Sequence, residues 1–168
     1  MLIETVKLPK VLESEATVRF QDCDPFNHLN NARYIDYFLN AREDQLLKHY
    51  GLDIYGHTMT TGAGWVVGRS QIAYFKPAKL MEHVIIQSQL IKFGKRDITV
   101  EMRMLDTEKS QLKAFMWANF VHFRVQTVKS EAHTEPLMEM FTEVLAPMSA
   151  ANFDERFLDL VSGGIQAV

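Results

Sequence analysis

A short polar stretch between residues 22 and 31 carries the side chains best suited to chemistry. They are Asp22, Cys23, Asp24, Asn27, His28, Asn30 and Asn31. Together with Pro25, these short polar residues favour a loop, and Asn30 or Asn31 can cap the helix that follows. The first turn of a helix leaves backbone N–H groups unpaired, and these stabilise an anion or a developing oxyanion. A loop carboxylate beside that turn would form half of an acyl-transfer or hydrolysis centre.

The elements predicted to position this loop are one long helix and a set of strands. The helix runs from about residue 32 to Tyr50, because apolar residues recur there at close to helical spacing, and Gly51 is a natural stop. We predict a first strand over residues 16–21 and a loop over residues 57–64. Runs rich in β-branched and aromatic residues predict four further strands, over residues 65–76 (with a bulge at Gly68), 83–93, 96–105 and 111–125.

Two short helices are predicted in the C-terminal part of the chain. The first opens at Glu135 and ends before Pro147, and the second runs from Phe153 to about Val161, after a capping box and before Gly163-Gly164. Both are expected to cover apolar sheet surface. The order of one strand, a long helix and four strands indicates an α+β fold with the helix wrapped by an antiparallel sheet.

Composition and charge exclude several classes of function. The 168 residues, 47% of them hydrophobic, predict a single domain over residues 1–168, and the net charge of −3 from well-mixed charges argues against nucleic-acid binding. One cysteine and the lack of a long apolar run predict a cytoplasmic protein without a membrane partner. The histidines lack paired ligand spacing and no phosphate-binding glycine motif occurs, so we expect no metal and no cofactor.

The segment D-C-D-P-F-N-H-L-N-N-A-R-Y, residues 22–34, resembles part of a known family. It looks like the hotdog-fold acyl-CoA thioesterases of the 4-hydroxybenzoyl-CoA thioesterase type, with the same strand before it and helix and strands after it. It is also similar to the acyl-carrier-protein thioesterases, which share an Asp-x-x-x-His-x-Asn-Asn pattern. The resemblance covers about residues 15–128 and implies a hotdog core, with residues 134–168 adding a C-terminal helical extension.

The resemblance implies that Asp24 is the catalytic carboxylate, either as nucleophile on the thioester carbonyl or as general base for water. His28 would hydrogen-bond the thioester oxygen or orient a water, and an amide of Asn30 or Asn31 would steady the carboxylate or the substrate carbonyl. The alternative is structural: Asp24 is a turn former that accepts local N–H groups, and His28 ties the loop together. Asp22 is expected to brace the loop.

Substrate contacts are also implied by the resemblance. The oxyanion would meet main-chain N–H groups around Asn31, Ala32 and Arg33. The acyl group would lie in an apolar tunnel shared by two subunits, with a wall that includes Phe26, Tyr34 and Trp65. The phosphates of coenzyme A need cations, and the candidates near strand ends are Lys76, Lys79, Lys92, Lys95 and Arg96.

Other reactive side chains have more ordinary interpretations. Cys23 is expected to be a small side chain buried at the end of the first strand, inert because apolar surroundings raise a thiol pKa. Glu43 and Asp44 are expected to be solvated, because Arg42 and Lys48 give that side of the helix ordinary surface chemistry. The alternative is that they face a pocket, as helix carboxylates do in other hotdog thioesterases.

The predicted activity is hydrolysis of an acyl-CoA thioester to the free acid and the thiol. A carrier-protein substrate fits less well, because Phe26 stands where those enzymes place an Asn and their later catalytic cysteine has no counterpart here. Two alternatives stay open: a hotdog dehydratase or hydratase, and a non-catalytic acyl-CoA-binding module. A sheet wrapped on one helix leaves an edge to cover, which favours a homodimer or homotetramer. The sequence does not specify the acyl length or whether the group is aromatic.

Overall fold

The computed structural model describes residues 7–163 of the chain. The strands are β1 (Val11–Thr17), β2 (Ala63–Tyr74), β3 (His83–Phe93), β4 (Asp97–Asp106), β5 (Leu112–Arg124) and the short β6 (Lys129–Ser130). The helices are α1 (Tyr34–Tyr50), α2 (Ile54–Thr61), α3 (Glu135–Val144) and α4 (Phe153–Ser162), and single 3-10 turns lie at Phe20–Asp22 and Asn31–Arg33.

One antiparallel sheet in the order β1-β3-β4-β5-β2 wraps around α1, and β6 extends β5 as a hairpin. This is the α+β architecture of the hotdog resemblance. The meander is not simple, because β2 crosses to the far edge beyond β5. The predicted bulge in β2 is confirmed, since its register to β5 shifts between Val67 and Arg69.

The core lies between the inner face of the sheet and α1. Val100, Met102 and Met104 are completely buried against Phe38 of α1. The alternation in the fourth predicted strand therefore points its apolar face at the helix, as the period of two requires.

The two C-terminal helices cover opposite faces of the sheet. α3 buries Leu137 and Phe141 in the same core as α1. α4 packs on the outer face, where the ring of Phe153 stacks on Phe115 with centroids 4.5 Å apart. Both helices cover apolar sheet surface, as predicted.

The first predicted strand was wrong in its bounds. β1 occupies residues 11–17, where Val11 pairs with Gln89 and Thr17 pairs with His83 of β3. Residues 20–22 form a turn, because the backbone leaves the sheet at Val18, whose N–H donates to Glu82 O.

The predicted loop at residues 57–64 was also wrong, since most of it belongs to α2. The side chain of Asp53 accepts the N–H groups of Tyr55 and Gly56, and Gly62 ends the helix in the left-handed region at φ +72°. Good caps at both ends offset the poor helix propensity of the Gly and Thr residues between them. Gly164 of the predicted stop after α4 lies outside the described residues, and no helix within residues 7–163 has the length and hydropathy to cross a membrane.

Candidate active site

The polar loop that precedes α1 is closed on itself and docked on a neighbouring segment. The N–H of Asp24 donates to His28 O at 2.8 Å, and the N–H of Asn27 donates to Asp24 O at 3.1 Å. Asn27 takes a left-handed conformation, which Asn tolerates well. The loop is fixed from outside by a bond of 2.8 Å from Leu29 N–H to Ala78 O. These bonds hold the catalytic candidates in one defined geometry.

The carboxylate of Asp24 has two different oxygens. Oδ1 accepts the N–H of Phe26 at 2.9 Å and the N–H of His28 at 3.2 Å. Oδ2 has no hydrogen-bond partner within residues 7–163, and the residue is half-buried. The turn-forming role and a chemical role are therefore compatible, because one oxygen builds the loop and the other stays available.

At the start of α1, hydrogen bonds within the chain already use some of the N–H groups that were candidate oxyanion donors. The side chain of Asn30 caps the helix by accepting Ala32 N–H at 3.0 Å, and its carbonyl accepts Arg33 N–H at 2.8 Å. Two of the three predicted donors are thus already engaged within the chain. In the described part of the structure, the N–H of Asn31 has no partner and is the donor that remains.

Asp22 braces the loop rather than facing substrate. Its carboxylate accepts the hydroxyl of Tyr37 at 2.8 Å and lies 4.0 Å from the guanidinium of Arg33. Burial raises the pKa of the neighbouring Cys23 thiol, and the charges of Asp22 and Asp24 raise it further. The cysteine therefore stays protonated and is a poor nucleophile.

The aromatic residues in and beside the loop differ in how far they are exposed. Tyr34 is buried, its hydroxyl accepts Ala78 N–H at 3.0 Å, and its ring lies edge-on to Tyr74 at 5.2 Å. Tyr74 in turn donates to Asn31 O at 2.8 Å. Phe26 instead projects from the loop tip and is 77% exposed. Tyr34 therefore belongs to the scaffold of the site, whereas Phe26 is free to contact another molecule.

The predicted phosphate-binding cations do not form one group within a chain. Lys76 follows β2 near the loop, and Lys79 pairs through its backbone with His28. Lys95 and Arg96 lie in the turn after β3, at the opposite end of a strand of 11 residues. A strand of that length spans about 35 Å, so the two pairs are well separated. The sequence located these residues at strand ends but could not say at which end of the sheet.

A cavity of about 220 Å³ opens at the far end of α1 from the loop. It lies between α1, α2, α3 and the sheet, and its wall includes Leu39, Leu46, Ile54, Trp65, Leu90 and Val100. Trp65 is thus separated from the other two predicted tunnel residues, and neither Phe26 nor Tyr34 lines this space.

Three histidines surround Trp65 at the edge of the cavity. The rings of His57, His122 and His133 lie 5.2, 5.0 and 6.1 Å from the Trp65 ring. The indole N–H donates to His133 Nε2 at 3.2 Å, while His133 Nδ1 lies 3.1 Å from Gly94 O. These two contacts fit the neutral ring, and burial lowers the pKa of both His57 and His133. The cluster was not predicted, because it depends on the register that sets Trp65 opposite His122.

Arg42 of α1 was wrongly assigned to the surface, whereas Glu43 is half-buried and Asp44 is exposed. Arg42 is only 7% exposed, and both Arg42 and Glu43 line the cavity. The buried face of the helix consists of Tyr34, Phe38, Ala41, Arg42 and Gln45. Their helical spacing was the available signal, and it was missed because polar residues occupy two of the positions. Among residues 7–163, no group of three or more His, Cys, Asp or Glu side chains has an arrangement that could hold a metal ion, the histidines around Trp65 included.

Comparison with known proteins gives a consistent result. A profile of the Thioesterase-like superfamily matches residues 18–155. The long-chain acyl-CoA thioesterase FadM of Escherichia coli is 29% identical over 135 residues, which cover 80% of this chain and 99% of that protein. The solved structure of YbaW, a probable thioesterase of Escherichia coli, matches with 25% identity and a TM-score of 0.69, over 80% of this chain and 99% of that one.

A further solved structure supports the fold alone. It is a Staphylococcus aureus protein determined in complex with CoA, with 12% identity and a TM-score of 0.76, covering 89% of this chain and 93% of that one. The shared architecture is the curled antiparallel sheet around a long helix that the hotdog resemblance implied.

Proposed function

The chain belongs to the thioesterase-like superfamily of thioester hydrolases, and we propose that it hydrolyses acyl-CoA thioesters with Asp24 as its catalytic carboxylate. The observation that carries this proposal is that one hydrogen-bond acceptor and one hydrogen-bond donor are left without partners in neighbouring segments. Asp24 Oδ2 and the Asn31 N–H are both unpaired in the described residues, on a loop and a helix start that are bonded to each other through Asn30 N–H and Asp22 O at 2.9 Å. A carboxylate and an oxyanion donor are the two groups that thioester hydrolysis needs.

The chemistry of Asp24 allows two routes. As a nucleophile, its Oδ2 attacks the thioester carbonyl, expels the thiolate and leaves an anhydride that water opens. As a general base, it removes a proton from a water that attacks the same carbonyl. In both routes the Asn31 N–H stabilises the oxyanion. We assign His28 and the side-chain amide of Asn31 the role of orienting the water or the carbonyl, as the family pattern implies.

The working unit is a homodimer formed through β2. Among the described strands, β2 is a sheet edge that pairs only with β5, and its residues 66–71 are exposed. Two of the exposed residues, Val66 and Val67, are apolar and each is 44% exposed. A long unpaired edge of this kind is stabilised by pairing with a second copy across a two-fold axis. A tetramer would need a further surface, for which we make no assignment.

The dimer would bring together groups that one chain separates. Antiparallel pairing centred on the exposed run sets Trp65 of one protomer beside Ile72 of its partner, because each strand runs opposite to the other. Tyr74 and the loop lie just beyond Ile72, so the cavity of one protomer adjoins Asp24 of the other. The partner's Lys95 and Arg96 come to the same side, as CoA phosphates would require. Phe26 and the partner's Trp65 would then lie along one acyl path, with Tyr34 in the scaffold behind it.

Thiol release from a panel of short, long and aromatic acyl-CoAs tests the function. Wild type is expected to turn over at least one chain class, and Asp24→Asn to lose about a hundredfold or more of that rate. Asp36→Asn is the matched control, because Asp36 is an exposed carboxylate at the start of α1 whose ion pair is with Arg33. The same acyl groups on a carrier protein should react more slowly.

Two results would reject the proposal. The first is binding of acyl-CoA without turnover on any chain, which would indicate a binding module. The second is an undiminished rate in Asp24→Asn. Loss of water from β-hydroxyacyl-CoA would instead indicate the dehydratase alternative.

A further inference from the structure

Arg42 is a buried cation that lines the cavity without a counter-ion. Its side chain is 7% exposed, and in residues 7–163 no carboxylate lies within the 4.0 Å that defines an ion pair with it. Burial lowers the pKa of this guanidinium to about 10, so the group is still charged at neutral pH. A buried charge without a partner is strongly unfavourable, and such charges in proteins are usually paired.

The guanidinium also has unused hydrogen-bonding capacity. Arginine carries five N–H donors, and within the described chain Arg42 makes one side-chain bond, from Nη1 to Ser88 Oγ at 2.9 Å. Ser88 in turn donates to Gln45 Oε1, and Gln45 donates to Ile86 O at 2.9 Å. This network anchors one edge of the guanidinium. The other N–H groups are left for whatever occupies the cavity.

The rest of the cavity wall favours an apolar chain. Most of its wall is contributed by apolar residues such as Leu39, Leu90 and Val100, and the hydroxyls of Tyr50 and Thr58, which also line it, donate to backbone carbonyls of the chain. Glu43 also lines the cavity, but it lies beside Tyr55, a residue 62% exposed, and its carboxylate raises the pKa of the Tyr55 hydroxyl. The wall therefore offers largely apolar surface, and Arg42 is the one cation among its lining residues in the described chain.

We propose that the cavity selects acyl groups that carry a hydrogen-bond acceptor distant from the thioester, a carboxylate above all, and that Arg42 is the residue that binds it. The proposal rests on the thioesterase function and names its substrate class. A volume of about 220 Å³ has room for about seven heavy atoms at about 30 Å³ each, the share of one water in the liquid. That is enough for a short run of methylenes ending in a carboxylate.

The test compares ω-carboxyacyl-CoAs with unsubstituted acyl-CoAs of equal length, over a range from short to long chains, by thiol release. Wild type is expected to favour the carboxylated chain at one or more lengths by about tenfold or more in kcat/KM, chiefly through KM, because hydrogen bonds to a buried charge are strong. Arg42→Met should lose this preference. Lys48→Met, which removes an exposed cation from the same helix, should keep it.

Two further measurements test the role of Arg42 in other ways. One measures binding without turnover, and the other uses a second substitution of Arg42. Binding of a free dicarboxylic acid is compared with binding of its dimethyl ester by calorimetry, and only the acid should bind in an Arg42-dependent way. Arg42→Gln keeps an N–H donor for Ser88, and it should lose the preference even if Arg42→Met fails to fold.

The outcomes separate this proposal from the general function. Equal or lower kcat/KM for the carboxylated chains at every length in wild type, or full preference in the Arg42 variants, would overturn the assignment of Arg42 while leaving thioesterase activity intact. Binding of the diacid through Arg42 without hydrolysis of any thioester would do the reverse, supporting the anion site and rejecting the function.

Discussion

The two ends of α1 carry different kinds of chemistry. At its start, the loop around Asp24 is half-exposed, its polar groups satisfy one another, and one carboxylate oxygen and one amide are left over. From its middle towards its far end, the helix adjoins the cavity, where Arg42, His122 and His133 are buried, and burial lowers the pKa values of Arg42, His133 and the half-buried His57.

The difference in exposure suits the division of work that we propose along the helix, with the reaction at its start and acyl binding beside its later turns. Reactive groups at the start need contact with water and with a departing thiolate, so exposure suits them. Recognition of an acyl chain needs exclusion of water, so burial suits the far end. Within one chain the two regions are apart, since the eight steps along the helix from Tyr34 to Arg42 alone advance by about 12 Å. A dimer joined through β2 would bring the loop of one protomer to the cavity of its partner.

Blocking the cavity should have the largest effect on activity, because it removes the proposed acyl-binding region and leaves the loop around Asp24 intact. Leu46→Trp puts a large ring into a space that Leu46 already lines, whereas Leu47→Trp adds the same ring at a position that is 56% exposed. We expect the first variant to lose about tenfold or more of kcat/KM on long acyl chains, with less loss on short ones. The second should behave as wild type. Equal losses in both would mean that the cavity does not hold the acyl group.

A smaller effect should distinguish Asn30 from Asn31 by the change in thermal stability when each is replaced by alanine. Asn30→Ala removes the cap of Ala32 N–H and should lower the free energy of unfolding by about 1 kcal/mol. In a chain of this size that corresponds to about 2–4 °C in Tm. Asn31→Ala removes a side chain without a hydrogen bond in the described structure and should leave Tm nearly unchanged. A reversed order in thermal unfolding would contradict the assignment of Asn30 as the cap.

The smallest effect should be a dependence of folding stability on pH that comes from the histidines around Trp65. Burial lowers the pKa of His57 and His133 below the ordinary value of 6.5, so the folded state favours the neutral rings. The unfolded chain takes up these protons first as the pH falls. Stability is therefore complete above about pH 6.5 and is lost between that pH and the folded pKa values.

Thermal unfolding from about pH 8 to about pH 5 measures this loss. His133→Gln should flatten the curve, and His83→Gln, at an exposed position, should not. A curve for His133→Gln that parallels that of wild type would show that the cluster does not contribute.

Much of the fold could be predicted from the sequence, because it depends on local periodicity. The long helix and its stop at Gly51 are confirmed, as are the strands with alternating apolar residues and the capping box of Asn152 with Glu155. α2 was missed because its stability comes from its caps rather than from its composition.

For the candidate site, the sequence indicated residues near the loop only, and their roles stay predictions. The loop motif has a fixed spacing, which made Asp24 and Asn31 visible in the sequence. The other end depends on long-range register and on polar residues at buried helical positions. Arg42 was assigned to the surface for that reason, and Lys95 and Arg96 were grouped with Lys76 although a whole strand separates them.

Subunit complementation tests most directly whether the two ends of α1 meet across a dimer. Asp24→Asn and Leu46→Trp protomers are co-expressed with different tags, and thiol release on a long acyl-CoA is measured for the purified mixture. A hybrid dimer would contain one site with an intact loop and an intact cavity, so random pairing should restore about a quarter of wild-type activity. Activity no greater than the mean of the two parent variants would contradict the account.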